Sequence, residues 1–137
     1  MPGTAEAVET AFYDAIARAD IEALMALWAD EEDIVCIHPG APRISGHAAI
    51  RASWEAILEP GGVRIRPTQL RTLHNLMTSV HSVVEEIHRV EGEQQDVHIV
   101  ATNVYVKTAQ GWRIVLHHAS VAPGQAPAEQ IASNLLH

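Results

Sequence analysis

The hydrophobic period of the chain changes lastingly at Pro60-Gly61-Gly62, and that change dictates a fold built from two unlike halves. Before it, apolar residues recur at the three- and four-residue spacing of amphipathic helices. After it, β-branched residues dominate and the spacing falls to two, as in strands with unlike faces. Helices first and strands second make an α+β domain, in which the helices gather on one side of a mainly antiparallel sheet.

The helical half divides further. Thr4 is placed to cap a first helix whose Val8, Phe12, Ala15, Ile16 and Ala19 share a face. Asp20 restarts the pattern as a second cap, with Ile21, Leu24, Leu27 and Trp28 on the buried stripe. The acidic run Asp30-Glu31-Glu32-Asp33 suits an exposed loop, because acidic groups at a helix C-terminus oppose its dipole. Ile34 to His38 then reads as a short strand with Ile34, Cys36 and His38 on one face, closed by Pro39 and a loop through Pro42. Ser45 is expected to cap a third helix lined by Ile50, Trp54, Ile57 and Leu58. Strands are expected over 63–77 with a break near Pro67, then 80–91, 95–107 and 111–121. Short connections at Thr78-Ser79, Gly92-Glu93-Gln94 and Thr108-Ala109-Gln110 join them as hairpins. Residues 122–137 form a tail, ending in Ile131, Leu135 and Leu136, that either docks as a short helix or frays.

Composition narrows the function classes. One domain of 137 residues with a net charge of −8 is poorly suited to nucleic acid or anionic membrane. Cys36 is alone, so neither an internal disulfide nor a cysteine metal cluster is expected. Without a membrane-length apolar run or a signal-like N-terminus, the expected location is cytoplasmic.

The helix pair FYDAIARADIEALMALWAD, the strand end VCIHPG, the segment SGHAAIRASW and the final strand GWRIVLHHAS resemble the SnoaL-like branch of the nuclear transport factor 2-like superfamily. The resemblance spans roughly residues 4 to 121. It implies a cone-shaped, cystatin-like fold with three helices packed in a curved antiparallel sheet and a pocket between them. It also implies a homodimer formed through the sheet. Ketosteroid isomerases share this fold. Where they carry a general-base aspartate before a proline, this chain has His38; where they carry an oxyanion-hole acid on the penultimate strand, it has Asn103. Their helix-one tyrosine falls on Phe12, with Tyr13 one position away, which turns a helical side chain by about 100°. The full isomerase constellation is therefore not reproduced.

Each candidate has two readings. His38 is either a neutral general base at a pocket mouth or a side chain that bonds the backbone of its own turn. Asn103 either polarises a substrate carbonyl or pairs with protein groups. On the last strand only one of His117 and His118 can face inward. The apolar set Trp112, Ile114, Leu116 and Ser120 favours His118, as a second acid–base group or a satisfied core histidine. Val83 with Ile87, Val104 with Val106, and Val115 are candidates for the outward dimer face. Glu85 either pairs with His81 on the same strand face as a proton relay or, the simpler expectation, lies in solvent, and His47 is expected in solvent.

Phe12, Tyr13, Trp28, Trp54, Tyr105 and Leu116 are candidates to line a pocket for a small apolar molecule, though the tryptophans also suit a plain core. No cofactor is implied, and the histidines lack compact metal-ligand spacing. Two functions follow. One is a cofactor-independent isomerase, cyclase or dehydratase working by proton transfer next to a carbonyl. The other is a non-catalytic ligand-binding or association domain.

Overall fold

A computed structural model of the chain describes residues 3–87, 97–124 and 126. The expected α+β order holds: helices α1 (Ala5–Arg18), α2 (Ile21–Met25) and α3 (His47–Leu58) precede most of the sheet. The strands are β1 (Val35–Ile37), β2 (Ile44–Ser45), β3 (Ile65–His74), β4 (Thr78–Ile87), β5 (Val97–Thr108) and β6 (Gly111–Pro123). They form one six-stranded sheet in the order β2-β1-β6-β5-β4-β3. The Gly92–Gln94 turn and the fate of the tail lie outside the described residues.

Local chemistry sets the helix starts. Thr4 accepts from Ala7 N at 3.0 Å and Asp20 from Ala23 N at 3.0 Å, so both expected caps form. The second helix is shorter than expected. Leu27 and Trp28 lie beyond it, where Trp28 bridges to Ile114 and both are buried. Gly46, not Ser45, is the N-cap of α3. Ser45 belongs to the edge strand β2, and its hydroxyl donates toward the carbonyls of Ile34 and Glu32. Gly62 admits the close approach of β3 to α1: a Cβ there would stand 1.8 Å from the Ala17 carbonyl oxygen.

Three features of the sheet depart from the expected meander. The β1–β6 pair is parallel, because the connection between these strands is most of the domain rather than a hairpin. Pro67 does not break β3; it pairs with Glu85 on an edge strand, where a missing N–H is tolerated. The irregularity comes just after, as a bulge between Thr68 and Arg71 with Gln69 at φ 53°. The β3–β4 turn sits at Asn75-Leu76-Met77 instead of Thr78-Ser79. There Asn75 Oδ1 accepts from the Met77 and Thr78 amides, a side-chain substitute for a backbone turn.

The main core lies between the helices and the sheet, and includes Val8, Phe12, Ile16, Leu24, Trp28, Ile34, Ile50 and Trp54. Strand register then places chemistry-bearing residues in transverse rows. His81 pairs with Asn103, Asn103 with His117, and His117 with Cys36, so β4, β5, β6 and β1 contribute one row on the helix-facing side. On the far side the row Leu73, Val80, Val104, Leu116 and Val35 is apolar. Val83 is buried with Ala101 and Ala119 and, like Ile87, belongs to the helix-facing set, which removes both from the expected outer face. Val104 and Val106 do face outward, while Val115 packs against the main core.

Candidate functional site

The helix-facing row is a polar layer inside an apolar core. Glu9 projects from α1 into it, and its Oε2 accepts from Tyr105 Oη at 2.6 Å, His81 at 2.9 Å and Asn103 Nδ2 at 3.2 Å. Burial pushes the Glu9 carboxyl upward, but the His81 and Tyr105 hydrogen bonds, the His81 charge and the Asn103 bond outweigh it. The carboxyl ends below its ordinary value. His81 is displaced the opposite way. Burial opposes its charge, yet Glu9 and Glu6 hold it above its ordinary value, so the two form a buried ion pair. Its second ring nitrogen reaches Ser79 Oγ at 3.0 Å.

The layer continues past Asn103. Tyr13 Oη accepts from Asn103 Nδ2 at 3.0 Å and donates to Glu85 at 2.7 Å. Glu85 is therefore buried rather than solvated, and burial raises its carboxyl above the ordinary value. With both amide hydrogens of Asn103 engaged, its oxygen is free to accept from His117 Nδ1 at 2.6 Å. That bond fixes the tautomer of His117. Nδ1 carries the proton and Nε2 the lone pair. Burial depresses His117 to about 3, and protonation of the neighbouring His38 or His118 would push the same way, so the ring is neutral.

The inward histidine is thus His117, and His118 is exposed, the reverse of the expected order. The cause is a bulge. Val104 pairs with Leu116 but Tyr105 with Ile114, which leaves Val115 as an extra residue in β6. Counting by two from Trp112 and Ile114 is correct up to that point and off by one beyond it. The same shift puts Leu116 on the far face beside Val104, away from the expected pocket.

A second group gathers around Trp54 where β1, α3 and β6 meet. The Trp54 ring stands edge-on to His38 at 4.8 Å between centroids and to Phe12 at 5.8 Å, with His117 at 6.0 Å. Ser53 Oγ donates its only hydrogen to the Ile50 carbonyl at 2.6 Å, so its 2.9 Å bond with His38 Nε2 requires the imidazole to donate. His38 Nδ1 then holds a lone pair with no donor among the described residues. Burial lowers the pKa of His38 and keeps it neutral. Cys36 Sγ lies 3.7 Å from the same imidazole, and burial pushes its thiol up to about 12, well away from thiolate reactivity. The Trp54 indole N–H is buried with only the Cys36 sulfur to donate to, and the Trp28 indole N–H, in the core, is buried without a partner among the described residues.

Of the candidates read from sequence, Phe12, Tyr13, Trp28, Trp54 and Tyr105 are all buried. Phe12 and Trp54 meet at the tryptophan corner, Tyr13 and Tyr105 bond into the polar layer, and Trp28 sits in the core. Asn103 is satisfied by protein partners. His47 is not simply solvated, since its ring bonds the Ala29 carbonyl at 2.8 Å. Glu9 had no place among the candidates, and His81, expected at most as a relay partner of Glu85, bonds Glu9 instead. The signal for Glu9 was present: it lies four residues from both Ala5 and Tyr13, inside the buried stripe of α1. Among the described residues no group of side chains is arranged to hold a metal ion, and no helix is long and apolar enough to cross a membrane.

A family profile for the SnoaL-like domain matches residues 5–124. The chain belongs to that family, within the nuclear transport factor 2-like superfamily of cystatin-like folds. A structure from Thiobacillus denitrificans, provisionally described as a calcium/calmodulin-dependent protein kinase type II association domain, is 35% identical with a TM-score of 0.80. The match covers 91% of this chain and 100% of that one. A protein from Streptomyces avermitilis, provisionally described as a dehydratase of the nuclear transport factor 2-like family, is 31% identical. Its TM-score is 0.74, with 87% and 92% of the two chains covered. A Pseudomonas putida protein of unknown function, 22% identical with a TM-score of 0.73 over 93% and 87% of the chains, shares the fold. No curated protein matches the chain.

Proposed function

We propose that the domain binds a small, largely apolar organic molecule at the tryptophan corner, with His38 as its proton acceptor. The observation that carries this reading is the hydrogen-bonding state of His38. Its ring is neutral and half-buried, its donor is committed to Ser53, and its remaining nitrogen is an uncommitted base. A neutral imidazole against an aromatic wall suits abstraction of a proton next to a carbonyl. In that role Trp54 would supply the apolar surface and His117 Nε2 a second fixed lone pair. Asn103 acts through His117 as a positioning residue, since its own amide is already engaged. The chemistry would be that of a cofactor-independent isomerase, cyclase or dehydratase, and the S. avermitilis relative's description is in keeping with it.

The test is native mass spectrometry on protein purified without added ligand, repeated under denaturing conditions. A discrete mass that is lost on denaturation, and absent from a His38→Ala variant that still folds, supports the reading. The same mass retained in that variant removes His38 from the role.

A second reading rests on the far face of the sheet. The transverse row Leu73, Val80, Val104, Leu116 and Val35 is apolar, and Leu73 is 78% exposed. Such a face suits a two-fold homodimer, and the T. denitrificans relative bears the description of an association domain. Sedimentation of wild type and Val104→Lys separates the cases: a dimer that becomes a monomer supports association through this face.

A further inference from the structure

We propose that the cleft between the C-terminal half of α1 and the adjoining ends of β3 and β4 is a separate binding site for a small carboxylic acid with an apolar tail. The cleft has a volume of about 740 Å³ and holds Arg18, Arg64 and Arg66 against Asp14 and Glu86. Asp20, just outside the lining, adds a third carboxylate by bonding Arg18 at 2.9 Å, so what distinguishes the cleft is the state of its individual arginines. Asp14 already holds Arg18 at 2.8 Å, and Glu86 holds Arg66 at 2.8 Å. Arg64 has no ion pair or hydrogen bond among the described residues, so one guanidinium is left to be matched.

The rest of the cleft sets the shape of the ligand. Ala17, Ile65 and Ile87 provide half-buried apolar surface beside the guanidinium. A carboxylate on Arg64 can make two parallel charge-assisted bonds while an alkyl or aryl tail covers that surface. The volume lies within the range of small-molecule sites. A single negative charge fits best, because a polyanion would meet the acidic remainder of the surface. Tyr13 also lines the cleft, and its hydroxyl belongs to the buried layer through Asn103 and Glu85. The site is nonetheless distinct from the tryptophan corner and shares none of that corner's side chains.

Hexanoate, with hexanol as the neutral control, titrated into isotopically labelled full-length protein and followed by amide chemical shifts tests the proposal. Saturable shifts at Ala17, Ile65 and Ile87 are expected with hexanoate, weaker binding with hexanol, and a roughly tenfold loss of hexanoate affinity in Arg64→Gln. Arg64→Lys should recover part of that loss, and His38→Ala should leave the titration unchanged. Equal binding of hexanol, an unaltered Arg64→Gln, no saturable shift, or shifts centred on Trp54 would each overturn it. The last outcome would leave the tryptophan-corner reading standing, whereas an unoccupied corner would not touch this one.

Discussion

The Glu9 hub and the tryptophan corner lie on the same side of the same sheet, yet their polar groups are used in opposite ways. At the hub every donor has an acceptor: Tyr105, His81 and Asn103 converge on one carboxylate oxygen, and Asn103 passes its own oxygen to His117. At the corner the count does not close. His38 keeps a free lone pair, and the Trp54 N–H has only the weak acceptor of the Cys36 sulfur. A buried polar group costs least when fully paired, so the hub has the character of a fastening between α1 and the sheet. An unpaired donor does not by itself mark a site, since the core Trp28 N–H is also unpaired. What distinguishes the corner is an uncommitted acceptor on a half-buried ring, the Nδ1 of His38.

Breaking the hub should have the largest effect. Glu9→Leu strands three donors, one of them an imidazolium, and should cost about 3–5 kcal/mol in urea unfolding, as for removing one member of a buried pair. A loss below about 1 kcal/mol would mean that the layer is not a fastening. Next, Asn103→Leu removes the link between the hub and His117 and should cost about 1–3 kcal/mol. It should also free His117 to change tautomer, seen as a change in its ring nitrogen shifts.

The pH profile sharpens the contrast. Glu9 is held below its ordinary 4.5, so its contribution is complete above that pH and is lost as pH falls through the lowered value. His81 is held above its ordinary 6.5, so its contribution is complete below 6.5 and is lost as pH rises through the raised value. Their shared contribution is therefore greatest between those ordinary values. Glu85, raised by burial, has the sign of His81. His117, lowered from 6.5 to about 3, has the opposite sign and adds to the loss on the acid side. Urea unfolding against pH should show a smaller alkaline decline in His81→Gln, together with a smaller Glu9 share of the acid decline, while the share due to His117 is kept. An unchanged alkaline limb would take His81 out of the ion pair.

The corner should respond in function rather than stability. His38→Ala should change unfolding by no more than about 1 kcal/mol while removing any co-purified small molecule. The smallest effect belongs to His118→Ala, exposed on the far face, which should stay within about 0.5 kcal/mol and leave bound molecules alone.

Much of the fold was legible because local signals decided it. Thr4 and Asp20 cap their helices, and the period change at Pro60-Gly61-Gly62 divides helices from sheet. The corner was legible in part, through the alternation that puts Cys36 and His38 on one strand face. The hub was legible only as the position of Glu9 in the buried stripe of α1, since nothing local tells which partners on distant strands it meets. The parallel β1–β6 pairing was equally hidden, being set by long-range register and not by any residue in either strand.

The bulge at Val115 works as a reading frame for everything after it. His117 and His118 are identical letters, and only the extra residue upstream decides which enters the interior and which meets water. Inserting or deleting a single residue between Ile114 and Leu116 would exchange their fates, and those of Ala119 and Ser120, without altering any of them. Two relatives with the same His-His pair can therefore differ in what their interiors contain. Alignments of this strand carry meaning only when the gap is placed at the bulge.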